Sequence, residues 1–137
     1  MLLVDADAAL RRELGTLLAE HYSRVRCIDA RDVPTAIEAL LVKHPDVVVT
    51  DLRLSGHAQG GFRVVMDAVS LGIPAVVVSG PISEALRMRL DELGVGRVDK
   101  SGSAAELFAA IDRAIEARAA RTAIPTAAAA PPRAQTA

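Results

Sequence analysis

Five short apolar runs, each followed by a segment with helical spacing, alternate through residues 1–118. The runs are MLLV (1–4), RVRCI (24–28), VVVT (47–50), PAVVVSG (74–80) and RVDK (97–100). Two of them, 47–50 and 74–80, are almost unbroken valine-rich stretches. A strand apolar on both sides belongs in a sheet covered on both faces. Strand–helix alternation therefore predicts an α/β fold with a five-stranded parallel sheet. Right-handed crossovers place helices on both faces, which makes the sheet doubly wound. In such sheets ligands bind beyond the carboxyl ends of the strands, where the strand order reverses.

The intervening segments fit this scheme. From Asp7 to about Tyr22, Leu10, Leu14, Leu17 and Leu18 fall on one helical face, with Asp7 as N-cap. Segment 34–43 opens with Pro34, which a helix accepts at its start, and His44-Pro45 closes it. Residues 55–61 are a glycine-bearing loop and 61–72 a helix. Segment 81–94 carries the stripe Ile82, Ala85, Leu86, Leu90 and Leu93, and ends at Gly94. Ser103 caps a last helix over 104–118. Residues 119–137 are expected to be a disordered Ala/Pro-rich tail or the stub of a linker, with 1–118 as the folded domain.

Composition narrows the function classes. A chain of 137 residues suggests one domain. It is 51% hydrophobic, yet its aromatics are only Tyr22, Phe62 and Phe108, so the core is aliphatic. Sixteen basic and seventeen acidic residues leave a net charge of -1. That is no footprint for nucleic acid, and three aromatics build no stacking platform. Cys27 is the single cysteine, so no internal disulfide forms; in its apolar run it behaves as a small hydrophobe. No apolar run approaches the roughly 18 residues of a membrane span, and the N-terminus lacks a signal-peptide layout. A cytoplasmic setting is expected.

The strand ends carry the chemistry. The first delivers Asp5, with Asp7 two residues on; the third Asp51; the fourth Ser79; the fifth Lys100. Carboxylates gathered at one rim repel unless a cation lies between them. Mg²⁺ prefers such oxygen ligands and completes its shell with water. Lys100 adds a fixed positive charge and Ser79 a hydroxyl. This set suits transfer of a phosphoryl group to a carboxylate, with Asp51 as nucleophile and the cations neutralising charge on the phosphoryl oxygens.

Asp5 after a strand, TDLRLSG around Asp51, VVVSG around Ser79 and VDKS around Lys100 together resemble the receiver domain of bacterial two-component response regulators. The resemblance covers about residues 1–118. It implies a flavodoxin-like (βα)5 fold in which Asp51 is the phosphoacceptor. It also implies that Asp5, Asp51 and the main-chain carbonyl of Arg53 hold Mg²⁺, that Ser79 moves to bond the phosphoryl group, and that Lys100 pairs with it. The implied partners are a histidine kinase or phosphotransfer protein upstream, and an unidentified protein on the helix 4–strand 5–helix 5 face. That face offers Arg87, Met88, Arg97 and Asp99. Such a domain is a switch rather than an enzyme, with at most autophosphorylation and autodephosphorylation.

The chain departs from the family pattern at four places. Ala6 stands where a second metal-binding acid is expected, and Asp7 is better placed as a helix cap. Arg97 replaces the usual Tyr or Phe partner of the switch hydroxyl. Ser101 follows Lys100 where proline is common, and LRLSG lacks the usual proline after the phosphoacceptor. Two alternatives follow. One is a degenerate receiver that acts as a phosphorylation-independent interaction module, which Ala6 and Arg97 favour. The other is a small flavodoxin-like enzyme or cofactor binder, opposed by short loops and by GHAQGG lacking P-loop spacing. His57 is expected to be a surface residue.

Overall fold

Leu2–Val4 (β1) is three aliphatic residues long and wholly buried, because it has a strand on either side and helices over both of its faces. One neighbour is β2 (Ile28–Ala30), in the register Leu2↔Ile28; the other is β3 (Val48–Thr50), in the register Leu2↔Val48. Beyond β3 come β4 (Ala75–Ser79) and β5 (Gly96–Asp99), so the order is β2-β1-β3-β4-β5 with every pairing parallel. This is the expected doubly wound five-stranded α/β sheet. The chain leaves β1 in one direction and returns to its other side, which puts the reversal of strand order between β1 and β3.

The structure is a computed structural model. It describes residues 1–54 and 59–136, with 122–136 as backbone only. The crossovers are the helices α1 (Ala8–His21), α2 (Val33–Lys43), α3 (Gly60–Ser70) and α4 (Glu84–Glu92); α5 (Ala104–Thr136) follows β5. Successive strand residues feed opposite faces. Leu2, Val4, Val48, Ala75 and Val77 pack with residues of α2, α3 and α4. Leu3, Val49, Val76 and Val98 pack with Leu18 of α1 and Leu107, Ala110 and Ile111 of α5. Both faces are thus aliphatic.

Several element limits differ from the sequence expectation. The second strand lies at Ile28–Ala30, not 24–28. β1 begins its pairing at Leu2↔Ile28, so the apolar residues Val25 and Cys27 pack against the core before the ladder starts. The paired residues Asp29 and Ala30 carry no β signal of their own. Helix α2 starts one residue before Pro34, with Asp32 accepting a hydrogen bond from Thr35 N at 2.9 Å. Helix α4 starts at Glu84 rather than 81, because the Ser83 hydroxyl caps it by accepting from Leu86 N. Ala85 and Leu17, expected on buried stripes, are exposed. Helix α5 runs past Arg118 without a break. The reading of 119–137 as a disordered tail falls mostly on residues whose side chains are not described, and that of His57 lies outside the described residues altogether.

Candidate functional site

Backbone ladders bring the predicted residues to one rim. Asp5 N donates to Ala30 O at 3.1 Å, Asp51 N to Val4 O at 2.9 Å and Lys100 N to Ser79 O at 2.9 Å. Each residue is therefore the first past its strand, tied to the adjacent strand's last residue. The side chains converge in front of them. Lys100 Nζ donates to Asp51 Oδ2 at 2.7 Å and lies 4.0 Å from Asp5 Oδ2. Asp5, Asp51 and Ser79 are all buried, while the lysine reaches in from solvent.

Electrostatics follow from this layout. Burial pushes the Asp5 carboxyl above its ordinary range; the neighbouring Asp51 charge adds to the rise, and Asp7 N–H and Lys100 oppose it. The bond to Asp51 pushes the Lys100 ammonium up, so it stays charged. Asp51 also accepts from Arg53 N at 3.2 Å on its other oxygen, Oδ1. Its main-chain carbonyl is gripped independently. Thr50 Oγ1 donates to it at 2.8 Å, and a Cβ added at Gly61 would lie 1.7 Å from it. Only glycine lets the start of α3 approach Asp51 this closely.

The metal expectation can be weighed against the donor set. Asp5, Asp51 and Arg53 supply two carboxylates and a carbonyl, and Mg²⁺ with several waters accepts as few as one or two carboxylates. The set fits the ion, with one acid fewer than the family pattern because Ala6 contributes no oxygen. Among the described residues no group of three or more His, Cys, Asp or Glu is arranged to hold a metal. Asp7 does not make up the difference: its carboxylate caps α1, accepting from Ala9 N and Leu10 N at 2.9 and 3.2 Å. Arg11, which the sequence did not single out, is nearly buried; its Nη1 donates to Asp5 O and its Nε lies 3.5 Å from Asp29 Oδ2.

Ser79, the last residue of β4, lines the same cleft as Asp51 and Lys100. Its hydroxyl donates to Gly80 O at 2.9 Å and accepts from Arg97 Nε at 3.1 Å. Arg97, expected to stand on the outer face, instead folds back and leaves only 26% of its side chain exposed. In front of Asp51 opens a cleft of about 500 Å³, lined by Arg53, Gln59, Ser79, Pro81, Ile82 and Lys100 among others. It is a concave, partly polar space with a carboxylate at its base.

No protein-family model matches the sequence, and no curated protein does. Solved structures match the fold. A CheY-like response regulator receiver domain protein from Methanospirillum hungatei superposes with a TM-score of 0.75 at 16% identity, over 88% of this chain and 95% of that one. The non-phosphorylated HemR receiver domain from Leptospira biflexa gives 0.71 at 26% identity, over 83% and 91%. The chain has the fold of a response regulator receiver domain. NtrX from Brucella abortus contains the same fold (TM-score 0.76, 20% identity), and there this chain covers only 28% of the longer protein.

Within this receiver fold, the four strand-end residues chosen from sequence lie at one rim, and Arg53 lines the same cleft. Gly61, Arg11 and Gln59 were missed. Gly61 carried a faint signal as a glycine directly after the loop that follows Asp51. Arg11 carried none, since one of two adjacent arginines on an amphipathic helix is indistinguishable from a solvated charge. No helix among the described residues is long and apolar enough to cross a membrane.

Proposed function

We propose that the chain is a phosphorelay receiver in which Asp51 accepts a phosphoryl group from a histidine kinase or phosphotransfer protein in the cytoplasm. The 2.7 Å contact between Lys100 Nζ and Asp51 Oδ2, at the base of an open cleft, supports this most strongly. An Asp51 carboxylate oxygen attacks phosphorus in line, the bond from phosphorus to the donor's imidazole nitrogen breaks, and the imidazole leaves with the electron pair. Lys100, already bonded to that carboxylate, stays beside the new acyl phosphate and neutralises its oxygens without reorganisation. Asp5, Asp51 and the Arg53 carbonyl would hold Mg²⁺, which would supply further neutralisation of phosphoryl charge when bound. The chain's role is a switch rather than turnover of a substrate.

A second reading is a phosphorylation-independent interaction module. Ala6 and the Arg97–Ser79 contact favour it, because one removes a metal-binding acid and the other engages the switch hydroxyl. Intact-mass measurement with acetyl phosphate and Mg²⁺ separates the two. A gain of one phosphoryl group, absent in Asp51→Asn and abolished by a chelator, supports the switch. No gain at high Mg²⁺ supports the module.

A further inference from the structure

Arg97 makes a connected set of polar contacts that the phosphoacceptor chemistry does not use. Its Nε donates to Ser79 Oγ at 3.1 Å. Its Nη2 donates to Gly80 O at 2.6 Å and reaches Ser79 O at 3.4 Å. The same nitrogen lies 3.4 Å from Asp99 Oδ2. One planar guanidinium thus spans the end of β4 and the first residue of the β4–α4 turn. The fork geometry of arginine allows this, whereas a lysine ammonium could not reach both acceptors at once in a fixed arrangement. Ser79 itself is 4% exposed, so its hydroxyl has no ready solvent partner and depends on the contacts it makes here.

We infer that Arg97 is a polar latch: its guanidinium holds the Ser79 hydroxyl and the β4–α4 turn away from Asp51, and an acyl phosphate on Asp51 releases it. The inference rests on Asp51 being the phosphoacceptor. Ser79 Oγ has one proton and can point it at Gly80 O or at a phosphoryl oxygen, not both. A phosphoryl group bearing about two negative charges is a far stronger acceptor than a neutral carbonyl. When Ser79 turns toward it, the oxygen that Arg97 Nε bonds moves away. Arg97 then loses one end of its fork and swings to Asp99 or solvent. The switch element is a charged side chain released from a partly buried position, the opposite of an aromatic ring becoming buried. Arg97 acts through Ser79 and is a positioning residue.

The test uses side-chain NMR on the full chain. In the wild type without phosphodonor, Arg97 Nε–H should exchange with solvent roughly tenfold or more slowly than in Ser79→Ala, the factor one hydrogen bond provides. An unprotected Arg97 Nε–H in the wild type overturns the latch. With acetyl phosphate and Mg²⁺, phosphorylation is followed by intact mass on the same samples. A mass gain accompanied by loss of Nε–H protection supports release, and a mass gain with protection unchanged overturns the inference while leaving the phosphoacceptor reading intact. Arg97→Gln should phosphorylate several-fold faster than the wild type because Ser79 is already free, and Arg97→Lys should fall between them; equal rates in all three count against the latch. No mass gain in any variant overturns the phosphoacceptor reading and with it the release step, and the ground-state latch is then decided by the exchange comparison alone.

Discussion

Lys100, one residue beyond β5, donates a hydrogen bond of 2.7 Å to Asp51, one residue beyond β3. The two strands are not neighbours, since β4 lies between them. The contact therefore exists only when the sheet is assembled, and it places a cation directly on the carboxylate expected to react.

That bond raises the lysine above its ordinary value of 10.5. A cationic group raised on folding contributes stability that is fully present below 10.5 and is lost as pH climbs through the folded value. Lys100→Met should lower stability at neutral pH by about 1 kcal/mol or less, because the lysine is 42% exposed and screened. The gap between variant and wild type should stay constant up to 10.5 and close only as pH climbs above it. Chemical denaturation across that range measures it; a gap independent of pH would contradict the pairing.

Asp5 behaves in the opposite sense to a salt-bridged acid. Its carboxyl is raised from 3.8, chiefly by burial, so the folded chain holds that proton more tightly than the unfolded chain. The group subtracts stability as pH rises above 3.8, and the penalty persists at neutral pH. Asp5→Asn, which retains an oxygen to accept from Asp7 N, should unfold at higher denaturant near neutrality and match the wild type below about pH 4. The same variant should require more Mg²⁺ for phosphorylation. Paired denaturation curves at the two pH values check the first statement.

Gly61→Ala tests the grip on the Asp51 carbonyl. The added Cβ would lie 1.7 Å from that oxygen and 2.7 Å from Leu52 Cα, both backbone atoms that cannot step aside cheaply. A loss of about 3 kcal/mol is expected, at the upper end for overpacking. Phosphorylation should slow even where the variant remains folded, because α3 can only relieve the clash by displacing Asp51. An unchanged melting temperature would refute the close approach.

Far from the rim, Tyr22 joins α1 to α5. Its hydroxyl donates to Asp112 Oδ1 at 2.7 Å and lies 3.3 Å from Phe108 O. Its phenol is pushed above its ordinary value by burial and by Asp112. Tyr22→Phe should cost about 1–2 kcal/mol and leave phosphorylation of Asp51 unaltered. Calorimetry and intact mass on the one variant check both halves.

The sheet was legible because its signals are redundant. Residues 47–49 and 74–78 are apolar throughout, and Asp7 and Ser83 supply cap chemistry a few atoms from where it is used. Of those caps only Asp7 was recognised. β2 was misplaced because its ladder residues, Asp29 and Ala30, are set by β1's register and not by their own preference. The site was legible at strand ends, where topology alone dictates convergence. The place of Arg97 as partner of Ser79 was legible through the family resemblance, but its hydrogen bond to that hydroxyl was not, since nothing local distinguishes a guanidinium folded onto Ser79 from one standing in solvent. Arg11 and Gly61 likewise act through neighbours 6 and 10 residues away, on atoms of Asp5 and Asp51 that belong to the main chain.

The most direct test is to locate the acyl phosphate. The chain is treated with acetyl phosphate and Mg²⁺, reduced with borohydride, which converts an aspartyl phosphate to homoserine, and mapped by peptide mass. Homoserine at position 51, and its absence when the metal is chelated, is the predicted result. Homoserine at a different aspartate, or none at all after full exposure to donor and metal, would contradict the assignment of Asp51 as phosphoacceptor.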